Sequence, residues 1–120
     1  MLNQTVIVGR LVREPELTKT ENDRNITNIT LAVPRSYKNE NGEYETDFID
    51  CTLWGNVAET TTEYCHKGDL LGIKGRIQSS TYEDEGKTVK RMQVVAEKVT
   101  FLSSSRNKDQ DKDIDWLWKG

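Results

Sequence analysis

The sequence predicts an all-β domain, a small five-stranded barrel with one helix between the third and fourth strands, followed by a disordered C-terminal tail. Three observations carry this. Apolar and polar residues alternate along most of residues 1–102, the period of a strand with one buried face. Two turn signals, Asn41-Gly42 and Asp84-Glu85-Gly86-Lys87, each join a pair of such runs. The composition changes once, near Phe101, and the stretch from Ser103 to Asp113 has nothing to bury. A chain of 120 residues has room for one core. The division expected is a folded domain over 1–103 and a flexible tail over 104–120.

The first strand falls at roughly 3–12. Its continuous run Val6-Ile7-Val8 implies burial on both faces. The second falls at roughly 25–36, where Ile29, Leu31 and Val33 alternate with Asn28, Thr30 and Ala32, and Pro34 bends its end. The third follows the Asn41-Gly42 turn, at roughly 46–54. A helix comes next, with Asn56 as its cap and Glu59 three residues on. Val57, Ala58, Thr61, Tyr64 and Cys65 fall on one helical face, and Gly68 closes the helix after His66 and Lys67. The fourth and fifth strands take roughly 69–83 and 88–102. Five antiparallel strands this long expose a sheet edge unless they curl and close. Gly72 and Gly75 supply places to coil or bulge. The architecture that answers these demands is a barrel of the OB type.

Composition excludes several classes. The net charge is −3 with 17 basic and 20 acidic side chains, so any affinity for nucleic acid must rest on a local basic face. Mean hydropathy is −0.76, and no apolar run approaches the ~20 residues that cross a bilayer. The opening Met-Leu-Asn-Gln-Thr lacks a charged start and an apolar region, so no secretory signal is expected and the cytoplasm is the expected location. Cys51 and Cys65 form no CxxC pair and are expected as buried, reduced thiols. No phosphate-binding GxxxxGK, no HExxH and no GxSxG occurs, and there is a single histidine, His66. Neither catalysis nor a metal or cofactor is expected.

Strand parity supplies the positive signal. In the third strand Phe48, Asp50, Thr52 and Trp54 share one face, while Ile49, Cys51 and Leu53 form a plain core stripe on the other. In the fourth strand Leu71, Ile73 and Ile77 point one way and Lys74, Arg76, Gln78, Ser80 and Tyr82 the other. Arg35, Tyr37 and Lys38 precede the Asn41-Gly42 turn. Aromatic rings interleaved with cations on one barrel face suit single-stranded nucleic acid, whose bases stack on rings and whose phosphates meet cations. The same rings also serve to cover a barrel end or fill a subunit interface, and the pattern alone leaves both readings standing.

Four stretches carry a family resemblance: VIVGRLVREPEL at Val6–Leu17, NITLAVPRSY at Asn28–Tyr37, DFIDCTLWGNVAE at Asp47–Glu59 and YCHKGDLLGIKGRIQSSTYEDEGK at Tyr64–Lys87. In these the chain resembles the bacterial and phage single-stranded DNA-binding proteins over residues 1–103. The resemblance implies an OB-fold homotetramer, nucleoid-associated in the cytoplasm, that wraps single-stranded DNA without sequence preference in replication, recombination and repair. It implies base stacking at Tyr37, Phe48, Trp54 and Tyr82. The cations expected along the phosphates are Arg10, Arg35, Lys38, Lys74, Arg76, Lys87, Lys90 and Arg91. The doubly apolar first strand fits a barrel on one side and a second subunit on the other.

The tail departs from the family pattern. Members commonly end in an acidic run and Ile-Pro-Phe, a tip that recruits replication and repair proteins. Here the partner-binding candidates are Ile114, Asp115, Trp116, Leu117 and Trp118, the proline and terminal phenylalanine are missing, and residues 104–120 carry four basic and four acidic side chains. A second function class therefore stands beside DNA binding: an OB-fold protein-interaction module, or a primosome-type accessory protein, that recruits partners through its tail.

Overall fold

A computed structural model describes residues 1–104. The tail assignments, including Ile114 to Trp118, lie outside the described residues. The elements in order are β1 (Thr5–Leu11), β2 (Thr18–Lys19), β3 (Asn25–Lys38), β4 (Tyr44–Trp54), α1 (Gly55–Tyr64), β5 (Leu70–Asp84) and β6 (Lys87–Ser103). Strands lie in the order β1-β5-β6-β4-β3-β2, and β1 also pairs with β3, so the five long strands close into a barrel. The helix lies between β4 and β5, the OB arrangement. The two-residue β2, which sequence periodicity does not register, borders β3.

Two long hairpins and two short contacts build the barrel. β3 pairs with β4 from Ile26↔Trp54 to Lys38↔Tyr44, and β5 pairs with β6 from Leu70↔Ser103 to Asp84↔Lys87. β1 joins β5 along its length. The strand ladders of the two halves then pair at Arg10↔Ala32 and Leu11↔Leu31 on one side, extended by the Val12 N–H to the Thr30 carbonyl at 3.1 Å, and at Cys51↔Val94 and Thr52↔Val95 on the other. The last of these is parallel, which corrects the expectation of a wholly antiparallel barrel: β6 leaves the β5 hairpin already aligned with β4. Both hairpins run past the barrel wall as exposed arms. Gly42 takes φ +77°, and Glu85 and Gly86 take φ +50° and +79°, so both turns form where the turn residues place them. Asn39 organises the first turn by accepting, at its side-chain oxygen, the backbone N–H of Asn41 and of Glu43.

The core is the inward stripe of each strand: Ile7, Leu11, Ile29, Leu31, Cys51, Leu53, Leu71, Ile73, Val94 and Ala96, closed at one end by Ala58 and Cys65. Three details differ from the sequence reading. Val6 is 72% exposed and Val8 half-buried, so the chain alone buries one face of β1. Ile77 is 44% exposed because β5 has by then passed beyond the barrel wall. The helix starts at Gly55, whose φ of +60° turns the chain out of β4, with Trp54 at the cap position and no side-chain cap, so Asn56 lies inside it. It also ends four residues before Gly68. Cys65 is already extended, and Tyr64 is exposed rather than on the buried face. Tertiary bonds claim the residues that follow. Asp69 accepts the His66 N–H at 2.7 Å, the Gly68 N–H bonds the Leu11 carbonyl at 2.7 Å, and Glu14 accepts the Lys67 N–H at 3.2 Å.

Candidate nucleic-acid interface

The outer residues of β4 define the site. Pairing places Phe48, Asp50, Thr52 and Trp54 opposite Ala32, Thr30, Asn28 and Ile26 of β3, all on the outer side. On the other flank Thr52 meets Val95 of β6, which is itself opposite Arg76 of β5. One outward row therefore crosses four strands: Asn28, Thr52, Val95, Arg76. Along the β5–β6 arm the same side carries Gln78, Gln93, Ser80, Arg91, Tyr82, Val89 and, at the tip, Lys87.

Hydrogen bonds fix the middle of this surface. Thr52 Oγ1 donates to Asn28 Oδ1 at 3.0 Å. Thr30 Oγ1 donates to Asp50 Oδ1 at 2.8 Å and accepts from Arg13 Nη2 at 3.0 Å. Arg91 Nη2 reaches Asp50 Oδ2 at 3.4 Å across the gap between β4 and β6. The polar groups between the aromatic rings are thus oriented before any ligand arrives. Around them the rings stand free: Phe48 is 67% exposed and Tyr82 51%. Trp54 is half-buried, with the Arg24 guanidinium 4.6 Å from its ring centroid.

The residues singled out from sequence fall into three groups. Phe48, Trp54, Arg76, Arg91, Tyr82 and Lys87 share the outer surface just described. Tyr37 and Lys38 lie on the other arm, Tyr37 within the irregular stretch between Pro34 and Lys38; Tyr37 is exposed, and Lys38 Nζ sits 5.7 Å from the Tyr44 ring centroid. The remaining four are placed differently. Lys90 pairs with Thr81 and so faces the opposite side of the arm from Tyr82. Lys74 keeps the outward parity of Arg76, as the sequence alternation predicts, but it lies nearer β1, opposite Val6. Arg10 is in a row with Ala32 and Phe48, but its Nη1 donates to the Gly68 carbonyl at 3.0 Å. Arg35 is engaged by two carboxylates. Its Nη2 and Nε bond Asp47 at 2.9 and 3.2 Å, and Nη1 bonds Glu45. The Asp47 hydrogen bond makes the guanidinium hold its proton more tightly, and the same contact holds the Asp47 carboxyl below its ordinary range.

Sequence reasoning missed Arg24, Arg13 and the structural part played by Asp50. Arg24 precedes β3 and meets Trp54 only because Ile26 pairs with that residue. No periodic signal reports such a contact. Among the described residues, no cluster of three or more His, Cys, Asp or Glu side chains gathers to hold a metal. No helix there is long and apolar enough to cross a membrane.

Comparison with known proteins bears on this surface. Residues 2–102 match the model of the single-strand binding protein family. Single-stranded DNA-binding protein B of Bacillus subtilis (strain 168) is 47% identical over 103 residues, which span 85% of this chain and 91% of that protein. A single-stranded DNA-binding protein of Halalkalibacterium halodurans is 46% identical over 111 residues, 92% of this chain and 66% of its own length. One from Staphylococcus aureus (strain MRSA252) is 42% identical over 115 residues, 95% of this chain and 74% of its own length. With a closed OB barrel, an aromatic and basic outer surface, and a family match across the whole described fold, the chain belongs to the single-strand binding protein family.

Proposed function

We propose that this protein binds and protects single-stranded DNA, largely without regard to sequence, during replication, recombination and repair. The observation that carries the reading is the pairing of outward-facing rings with cations on one outer surface: Phe48 and the half-buried Trp54 on β4, Tyr82, Arg76 and Lys87 on the β5–β6 hairpin, and Arg91 between them. Unstacked bases lie on the rings, each stack worth about 1–3 kcal/mol, while the backbone tracks the cations. Tyr37 and Lys38 extend the path along the second arm. A duplex hides its base faces and cannot use the rings. The protein contributes no covalent step; its work is to keep the strand extended and covered.

The exposed outer face of β1, led by Val6, favours assembly with further copies of the chain, and a homotetramer is the state we assign. The tail, with Ile114, Asp115, Trp116, Leu117 and Trp118, would recruit replication or repair proteins in the bacterial cytoplasm. Residues 1–103 carry 13 basic and 16 acidic side chains. Binding driven mainly by stacking therefore has a shallow salt dependence, since few counterions are released.

Titration of a fluorescent oligo-dT of ~35–70 nucleotides against a duplex of equal length, at low and high salt, tests the reading. Strong, stoichiometric binding of the single strand with quenching of Trp54 in a variant truncated after Ser104 is expected. Equal affinity for the duplex, or a salt slope as steep as that of a strongly basic protein, overturns it and leaves the partner-recruiting module as the better account.

A further inference from the structure

The strand that carries Phe48 and Trp54 begins earlier than its sequence pattern suggests. The pattern starts it near residue 46, whereas the ladder runs back to Tyr44, opposite Lys38. β4 keeps its two-residue period throughout, because the extra residues of the irregular stretch lie on β3, between Pro34 and Lys38. Tyr44 and Thr46 therefore continue the outward row of Phe48, Asp50, Thr52 and Trp54. The Tyr44 side chain is 59% exposed. It stands four residues from Phe48, about 13 Å along an extended strand. The residue between them in the row, Thr46, is exposed and uncharged.

The arm holds this ring from behind and from the tip. Parity turns Glu45 and Asp47 to the opposite face, where Arg35 bonds both, Asp47 at 2.9 and 3.2 Å. The arm thus has an ionic back and a front that carries Tyr44. At the tip, the Asn39 N–H donates to the Glu43 carbonyl at 2.8 Å, and the Asn39 side-chain oxygen accepts from Asn41 and Glu43, which fixes the turn beside Tyr44. The partner across the ladder is a cation. Lys38 Nζ lies 5.7 Å from the Tyr44 ring centroid, near the outer limit of about 6 Å for a cation–π contact. Lysine is a point charge on a flexible stem, so the ammonium can leave the ring face for a phosphate. Trp54, at the other end of the row, has similar company in Arg24 at 4.6 Å. A ring with a cation beside it is the unit that stacks a base and meets its phosphate.

We infer that Tyr44, with Lys38 beside it, is a further stacking station for a nucleobase, and that it carries the DNA path from Phe48 out along the front of the β3–β4 arm. The inference rests on the single-stranded DNA reading and deepens it. A strand leaving Phe48 meets Tyr44 as the next ring of the same row, and Lys38 takes the phosphate that follows. Glu45 and Asp47 are turned away and neutralised by Arg35, so they do not repel the backbone on this side. Tyr37 belongs to β3 and lies outside the row.

The test titrates oligo-dT with the full-length parent, Tyr44→Leu and Tyr44→Phe, and follows the assembly state of each by sedimentation. Leucine keeps apolar bulk but removes the flat ring, whereas phenylalanine keeps the ring and removes only the hydroxyl. Tyr44→Leu is expected to weaken binding by about fivefold or more, the lower end for one lost stack, and Tyr44→Phe to stay within about twofold of the parent. All three should sediment alike. An unchanged Kd in Tyr44→Leu, or an equal loss in both variants, overturns the station and leaves the DNA-binding reading intact. A Tyr44→Leu variant with an altered assembly state also overturns it, because the ring then serves a contact between copies. Failure of the parent to bind the single strand overturns the DNA-binding reading itself.

Discussion

Gly75 marks the joint between barrel and arm. Here β5 slips against β6, from Lys74↔Lys98 to Gly75↔Ala96, and the two backbones come close. A Cβ added at Gly75 would lie 2.1 Å from the Val95 carbonyl oxygen and 3.1 Å from Ala96 Cα. An ordinary contact needs more than 3 Å, so one strand must move by about 1 Å, and the obstacle is backbone rather than a side chain that can rotate away. Overpacking typically costs about 1–3 kcal/mol. The upper end applies here, since the longest ladder in the molecule must distort. For a domain of this size, about 3 kcal/mol lowers Tm by roughly 12–24 °C. Gly72, three residues earlier on the same strand, is the control. Its added Cβ would meet Leu102 Cδ1 at 3.6 Å and Thr100 Cβ at 3.9 Å, ordinary distances. Gly72→Ala should stay within about 1 kcal/mol of the parent, since alanine narrows the unfolded ensemble and offsets any small packing cost. Gly9→Ala, whose Cβ would lie 2.8 Å from the Ala32 carbonyl oxygen, belongs between the two. Thermal melts followed by circular dichroism at one fixed protein concentration read the order. A Gly75→Ala variant melting within a few degrees of the parent, or a Gly72→Ala variant equally damaged, refutes the argument.

The other expectations concern the surface and the thiols. Phe48→Ala and Tyr82→Ala should each weaken oligo-dT binding by about fivefold to 150-fold, the range for one lost stack, while leaving the melting curve in place; an unchanged Kd removes that ring from the path. Arg76→Gln should reduce the salt slope by about one unit, whereas Arg35→Gln should leave it alone, because Asp47 and Glu45 already occupy that guanidinium. Equal slopes for the two variants would contradict this division. Burial, reinforced by Asp50, pushes the Cys51 thiol up to about 12, and burial with Asp69 pushes Cys65 up to about 11. Both are neutral in the fold at pH 8, so Ellman's reagent should react slowly with the native protein and promptly after unfolding. The linked stability is fully present below the ordinary thiol pKa, near pH 9, and is lost as pH rises towards 11–12. A melting temperature flat across that window would show that the thiols play no part.

Which features were legible depends on whether they are local. The two hairpin turns were, because Gly42 and Gly86 need positive φ and their flanking residues say so. So was the outward set on β4, since alternation of Phe48, Asp50, Thr52 and Trp54 is a property of one strand. What sequence could not report arises between strands. The parallel contact of β4 with β6 depends on how the sheet coils. The engagement of Arg35 depends on Glu45 and Asp47 ten and twelve residues away across a bulge. Lys90 and Arg91 are both cations expected along the phosphates, yet parity sends neighbours on a strand to opposite faces. Gly68 and His66 carry the residue types of a helix terminus, while Asp69, Glu14 and Leu11 draw them into a separate turn.

The barrel is two stable hairpins sewn together by two stitches of two residue pairs each. The β4–β6 stitch is short but made of buried residues, Cys51, Thr52, Val94 and Val95, so the exposed hairpin arms fray before the wall parts. The rings and cations assigned to DNA lie on both sides of that line, Phe48 and Trp54 on β4, Arg91 and Tyr82 across it. A strand stacked on both is a third stitch, applied from outside.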